Sequence, residues 1–161
     1  MELYQQAGFL LFGTRLRRLS ELFLSEIKDV YRKQRIRFEP AWFPVFYLLS
    51  RDASVSIRSI ADALCITHPA ASQLVSALQQ KKLVQVGVAP GDARQRVVRF
   101  TPRGQQLLQQ VLPVWNAMEA AMETLCAERP ETRNILNVLT ALEGTMLAEP
   151  IHERILPRLK K

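Results

Sequence analysis

The sequence predicts a mainly α-helical fold with one small β-hairpin. Three observations carry that expectation. Apolar residues recur at helical spacing over most of the chain. The stretch 56–83 reads as two short helices joined by a three-residue turn. Just after it, two β-rich runs, 83–88 and 96–100, flank a loop that holds Pro90 and Gly91.

In the first short helix, Ile57, Ile60, Ala61 and Leu64 form one apolar stripe, and Ser56 stands before them as an N-cap. Ala71, Leu74, Val75 and Leu78 repeat the spacing in the second. Thr67 caps that helix, and Pro69 sits in its first turn, where a missing N–H costs nothing. Helices this short do not persist alone, so the stripes must pack on each other and on a third element.

The outward face of the second helix is then His68, Pro69, Ala70, Ser72, Gln73 and Ser76, with Lys81 and Lys82 at its end. An ordinary surface helix carries Glu and Lys there. A face that enters the major groove avoids carboxylates and keeps short donors and acceptors. The pair reads as a helix-turn-helix, with Thr67 to Lys82 as the recognition helix. A hairpin directly after a recognition helix is a wing, and Arg94, Arg96 and Arg99 lie on or beside it. Asp92 at the tip would be repelled by phosphate. Either it holds Arg94 extended through an ion pair, ready for a narrow minor groove, or Gly91-Asp92 is ordinary turn chemistry. The winged helix-turn-helix lobe is expected over residues 41–104.

Helices flank this lobe. Over residues 7–36, Phe9, Phe12, Leu16, Leu19, Phe23 and Ile27 make a continuous apolar stripe, which Glu39-Pro40 should end. Each such side chain is worth about 1.5–3 kcal/mol when buried. Residues 42–51 form an aromatic helix, Trp42, Phe43, Phe46 and Tyr47 among them, expected between two layers. The other use of such a cluster is a ligand pocket, for which Trp42, Phe46, Tyr47 and Trp115 are the lining candidates. Thr101-Pro102 opens a long helix that reaches about Glu128. Within it Leu108, Val111, Trp115, Met118, Met122 and Leu125 trace a heptad seam, and Pro113 should kink it. Two further helices follow, from Ile135 to Glu149-Pro150 and from Ile151 to about Leu159. The helices of 7–36 and 105–161 are expected to pair two copies of a single domain, 1–161, so that two readers reach one duplex. The rival arrangement is a helical bundle within one subunit.

Composition agrees with a nucleic-acid partner. The chain of 161 residues carries a formal net charge of +7. The excess is local: residues 1–38 are +4, residues 51–104 are +5, and residues 105–161 are −1. Two cysteines, Cys65 and Cys126, make neither a CxxC nor a disulfide framework, which fits a reducing cytoplasm. No apolar run approaches the length of a membrane span. GFLLFG precedes its basic residues, the wrong order for a signal peptide. No phosphate loop, nucleophile–base pair or carboxylate dyad is present, so neither catalysis nor a cofactor is expected. Cys65-x-x-His68 has metal-like spacing but lacks further ligands nearby. Cys65 could act as a redox handle only with a lowered pKa, and His68 either contacts the nucleic acid or packs on the turn.

SIRSIADALCITHPAASQLVSALQQKKLV followed by PGDARQRVVRFTPRG resembles the multiple antibiotic resistance regulator (MarR) family of winged-helix transcription regulators, over about Gly13 to Glu128. RLRRLSE, FEPAWFPVFYLLS and THPA are closer to a branch often fused to a GNAT-type acetyltransferase; this chain ends at Lys161, too early for that domain. The resemblance implies an obligate homodimer built from the first and last helices. It implies Ser72, Gln73 and Ser76 near bases or phosphates, Arg94 in the minor groove, and a cleft for a small, often aromatic, ligand. Ala93 stands where the family commonly has arginine, and Cys65 where it commonly has glycine. The expected function is a dimeric, sequence-specific, DNA-binding repressor. The alternatives are a regulatory module of an acetyltransferase system and a winged-helix protein-interaction module.

Overall fold

The computed structural model describes residues 2–89 and 92–159, with the side chains of 3–88 and 96–159. It divides into two compact units, Met1–Val114 and Trp115–Lys161.

The first unit opens with α1 (Glu2–Ala7), a 3-10 turn (Gly8–Leu11) and α2 (Phe12–Lys33). The expected single helix over 7–36 is therefore interrupted, because Gly8 takes φ +52°, outside the helical region. It also stops short of Pro40: the Ile36 N–H bonds back to the Tyr31 carbonyl at 2.9 Å and closes the helix. A 3-10 turn (Pro40–Trp42) leads into α3 (Phe43–Arg51). Val45, Phe46 and Leu49 are buried, but Tyr47 is 47 % exposed, so α3 is covered on part of its circumference and not on all sides.

β1 (Val55–Ser56), α4 (Ile57–Ala63) and α5 (His68–Gln80) follow. β2 (Val84–Ala89) and β3 (Asp92–Phe100) form the hairpin. All three strands join in one antiparallel sheet of order β1-β3-β2. The third strand was not legible as such, because Ser56 serves twice. It pairs with Val97 across the sheet, and its hydroxyl caps α4 by accepting the Ser59 N–H at 2.9 Å. The hairpin strands also run closer to the tip than expected, with Ala89 opposite Asp92 and a register shift between Val88 and Ala89. α6 (Pro102–Ala127) starts in this unit and carries Pro113 inside an otherwise continuous helix.

The core of the first unit lies where α3, α4, α5 and β3 converge. Val45, Phe46, Ile60, Ala71, Leu78 and Val98 are completely buried there. Phe38 is the aromatic hub. It lies 5.0 Å from Tyr31, and edge-on to Trp42 at 5.7 Å and to Phe46 at 5.0 Å. Phe46 in turn meets Phe100 at 4.8 Å. Each such pair adds about 0.5–1.5 kcal/mol beyond the area it buries. The relay Tyr31–Phe38–Phe46–Phe100 ties the end of α2 to the base of the hairpin.

The second unit holds the rest of α6, then α7 (Ile135–Ala148) and α8 (Ile151–Leu159). The Thr132 hydroxyl donates to the Cys126 carbonyl at 2.8 Å and folds the connection back on the end of α6. Leu136, Leu147, Ile151, Leu156 and Leu159 are all exposed. The same holds for the α2 stripe: Leu16, Leu19 and Phe23 are exposed, and Phe9 almost fully so.

Candidate nucleic-acid interface

α5 is fixed from behind and bare in front. Ala71, Val75 and Leu78 are buried, and the helix packs on α4 and β2. The Thr67 hydroxyl accepts the Ala70 N–H at 3.4 Å, a long cap bond. With the stripe held inward, helical periodicity turns Thr67, His68, Pro69, Gln73 and Ser76 to solvent; Ser72 is half-buried beside them. The sequence has no carboxylate between Asp62 and Asp92. The presented face therefore offers hydroxyl, amide and imidazole groups and carries no carboxylate of its own.

On the wing, Arg96 is exposed and pairs across the ladder with Val88, and Arg99, half-buried, pairs with Gln85. Asp92 and Arg94 lie on the backbone of β3. Their side chains, and with them the expected ion pair, fall outside the described residues, as does that of Ala93.

Three helices end in the same way. Arg35, Cys65 and Lys82 each take a left-handed conformation, with φ of 57°, 51° and 58°. Behind each, a paired set of bonds closes the last turn: Arg35 to Arg32 and Ile36 to Tyr31, Cys65 to Asp62 and Ile66 to Ala61, Lys82 to Gln79 and Leu83 to Leu78. This is the Schellman arrangement, whose left-handed position favours glycine. Here the chain places side chains at all three positions. Cys65, in the turn of the helix-turn-helix, is exposed, and its thiol points at the Asp62 carbonyl 3.8 Å away. Cys126 is half-buried. Among the described residues no group of three or more His, Cys, Asp and Glu side chains could hold a metal.

The recognition helix is anchored to α6 through one residue. The Thr101 hydroxyl donates to the Lys82 carbonyl at 2.7 Å, lies 3.1 Å from the Leu83 carbonyl, and accepts the Gly104 N–H at 3.1 Å. The Thr101 N–H bonds to the Leu83 carbonyl at 3.0 Å. Gly104 faces the same oxygen so closely that a Cβ there would overlap it. The Thr-Pro-Arg-Gly opening of α6 is thus a joint: a cap, a first-turn proline and a glycine needed for close approach.

Beside this joint a cleft of about 1110 Å3 opens between the end of α2, the loop after it and the first turns of α6. Of the four aromatic residues expected to line a pocket, only Trp42 lines this cleft. Phe46 is fully buried in the core, Tyr47 stacks on Phe43 at 5.6 Å, and Trp115 lies in the second unit. Six cations line the cleft, Lys28, Arg32, Arg35, Arg37, Lys81 and Arg103; of these the sequence reading named only Lys81, and for the end of the recognition helix, not for a cleft. They come from three distant stretches of chain, so no local pattern marks them.

No helix among the described residues is long and apolar enough to cross a membrane. No match was found among curated proteins. Residues 38–95 match the model of the MarR family. The fold is similar to that of Bordetella bronchiseptica BpsR, whose DNA binding is regulated by 6-hydroxynicotinic acid: TM-score 0.65 at 22% identity, over 81% of this chain and 91% of that one. It is similar to S. aureus MepR in complex with DNA, at 0.64 and 23%, over 85% and 96%. A MarR/EmrR family transcriptional regulator from Acinetobacter sp. ADP1 gives 0.66 and 20%, over 83% and 93%. The segment 38–95, which carries α3, the helix-turn-helix and the first part of the wing, matches the MarR family model, and the fold is similar to that of solved MarR-family regulators.

Proposed function

We propose that this chain is a dimeric, sequence-specific DNA-binding transcription regulator that acts as a repressor and answers to a small ligand. The observation that carries the reading is the bare face of α5: Thr67, His68, Pro69, Gln73 and Ser76 exposed, with no carboxylate among them. Ser72, Gln73 and Ser76 would sit at base edges or phosphates, and the wing arginines, Arg94 and Arg96, would reach the minor groove and its rim. The MepR complex with DNA supports the same use of this fold. Asp92 would orient Arg94.

The dimer follows from cost. Leu16, Leu19 and Phe23 on α2 are exposed, as are Leu136, Leu147 and Leu156 further on. Burying side chains of this size is worth about 1.5–3 kcal/mol each, which a second copy would supply. Two copies related by a twofold axis place two recognition helices on successive turns of one duplex face, so the operator would be a palindrome. The regulation of BpsR by 6-hydroxynicotinic acid supports a small-ligand input.

Footprinting on the DNA around the protein's own gene tests the reading. A protected site with twofold symmetry is expected. Binding to all sequences alike would refute sequence-specific reading.

A further inference from the structure

The outward face of α5 lacks the side chains that read one of the two kinds of base pair. Residues 63–80 hold no Arg, Lys, Asp or Glu. In the major groove, guanine is taken by a bidentate Arg or Lys at O6 and N7, and cytosine by a carboxylate that accepts from its amine. The helix has neither. Its nearest cations stand past its last residue: Lys81 is the C-cap and lines the cleft beside α6, and Lys82 takes the left-handed turn after it.

What the face does hold suits the other pair. Pro69, Gln73, Ser76 and Gln80 are exposed and follow one another at i, i+4, i+7 and i+11, one stripe opposite the buried Ala71, Val75 and Leu78. A glutamine amide donates and accepts at once, which matches adenine, whose N7 accepts and whose N6 amine donates. An apolar carbon surface meets the thymine methyl. Pro69 supplies one, a turn before Gln73, and Ala77, also exposed, supplies another beside Ser76. From Pro69 to Gln73 the helix rises roughly 6 Å, which is within two base-pair steps of about 3.4 Å each. The hydroxyls of Thr67 and Ser76 and the imidazole of His68 can serve either pair, so they leave the choice to the amides and the apolar groups.

We infer that the half-site read by α5 is built of A·T pairs, with the Gln73 amide on an adenine and Pro69 against the methyl of a nearby thymine. This rests on the DNA-binding reading, which it deepens by naming the bases read. Discrimination comes by mismatch as much as by contact. Guanine under Gln73 sets its O6 against the amide oxygen, acceptor against acceptor. Cytosine beside Pro69 leaves its amine without an acceptor and offers no methyl. A run of A·T pairs also narrows the minor groove and deepens its negative potential, which suits the exposed Arg96 of the wing.

Selection by the full chain from a pool of random duplexes tests the inference. Half-sites with A·T pairs at the positions that face α5 are expected. Half-sites centred on G·C pairs would overturn it and leave sequence-specific DNA binding standing; enrichment of no sequence would overturn both. On the selected duplex two base analogues locate the contacts: 7-deazaadenine, which lacks the N7 acceptor, and uracil in place of thymine, which lacks the methyl. One 7-deazaadenine per half-site is expected to raise Kd about tenfold for the wild type and to leave Gln73→Ala unchanged. One uracil is expected to raise Kd about fourfold for the wild type and to leave Pro69→Ser unchanged. Losses as large in the variants as in the wild type would overturn both contacts. Gln73→Arg, whose fork fits guanine, should move the selected base at its pair from adenine to guanine. An unchanged selected sequence would remove Gln73 from base reading and overturn the inference.

Discussion

Gly104 faces the carbonyl oxygen of Leu83 so closely that no side chain fits between them. A Cβ at that position would overlap the oxygen and stand 2.9 Å from the Phe100 ring. The obstacle is backbone, which cannot rotate aside. Gly104→Ala should therefore destabilise the protein by about 3 kcal/mol through overpacking. Thr101→Val should cost about 1–2 kcal/mol, because it leaves the Gly104 N–H and the Lys82 carbonyl without their shared hydroxyl. Urea unfolding of both variants checks the order; an Ala variant as stable as wild type would disprove the close approach.

Cys65 predicts a change of the opposite sign. Its left-handed φ of 51° costs about 1–2 kcal/mol for a residue with a side chain. Cys65→Gly removes that cost and returns part of it as unfolded-state entropy. A net gain of about 0.5–1 kcal/mol is expected, or a rise of about 1–4 °C in Tm for a chain of this length. Differential scanning calorimetry reads it directly, and a fall in Tm would show that the thiol's contact with the Asp62 carbonyl outweighs the strain.

The exposed α2 stripe predicts the assembly state. Phe23→Glu places a charge in the middle of the apolar face that a second copy would cover. Sedimentation should show a dimer for the wild type and a monomer for the variant. A wild type that is monomeric at micromolar concentration would refute the dimer.

For DNA, Arg94→Ala should weaken operator binding by about 1–3 kcal/mol if the guanidinium reads a groove. Gln73→Ala should relax sequence preference more than it lowers affinity, as loss of a base contact does. About six phosphate contacts in total would give a log–log salt slope near −5. Gel-shift titrations across a salt series check all three, and an Arg94→Ala protein with unchanged affinity would remove that residue from the interface.

The reading elements were legible because their signals are local. Ser56 and Thr67 as caps, the stripe of Ala71, Val75 and Leu78, and the helix start at Pro102 all depend on residues within four positions of one another. What was illegible depends on distance or on backbone choice. The pairing of Ser56 with Val97 joins residues far apart in the chain. The break at Gly8 is a left-handed turn that an apolar period does not register. Tyr47 and Phe46 look alike as neighbouring aromatics, yet one is exposed and the other is core, because the side of α3 that carries Phe46 meets Phe38 and Phe100 of the core. The cationic cleft draws on the end of α2, the end of α5 and the start of α6, which only the fold brings together.

The Thr101 joint has a mechanical consequence. Because one hydroxyl grips the carbonyl that follows the recognition helix while its own backbone begins the next long helix, the two rods share a single rivet. A twist of α5 about its own axis therefore pulls on the start of α6 through the Thr101 bonds. On the DNA-binding reading proposed above, the lobe would then meet candidate sites as a stiff gauge, with tolerance for altered operator spacing supplied by bending of the DNA.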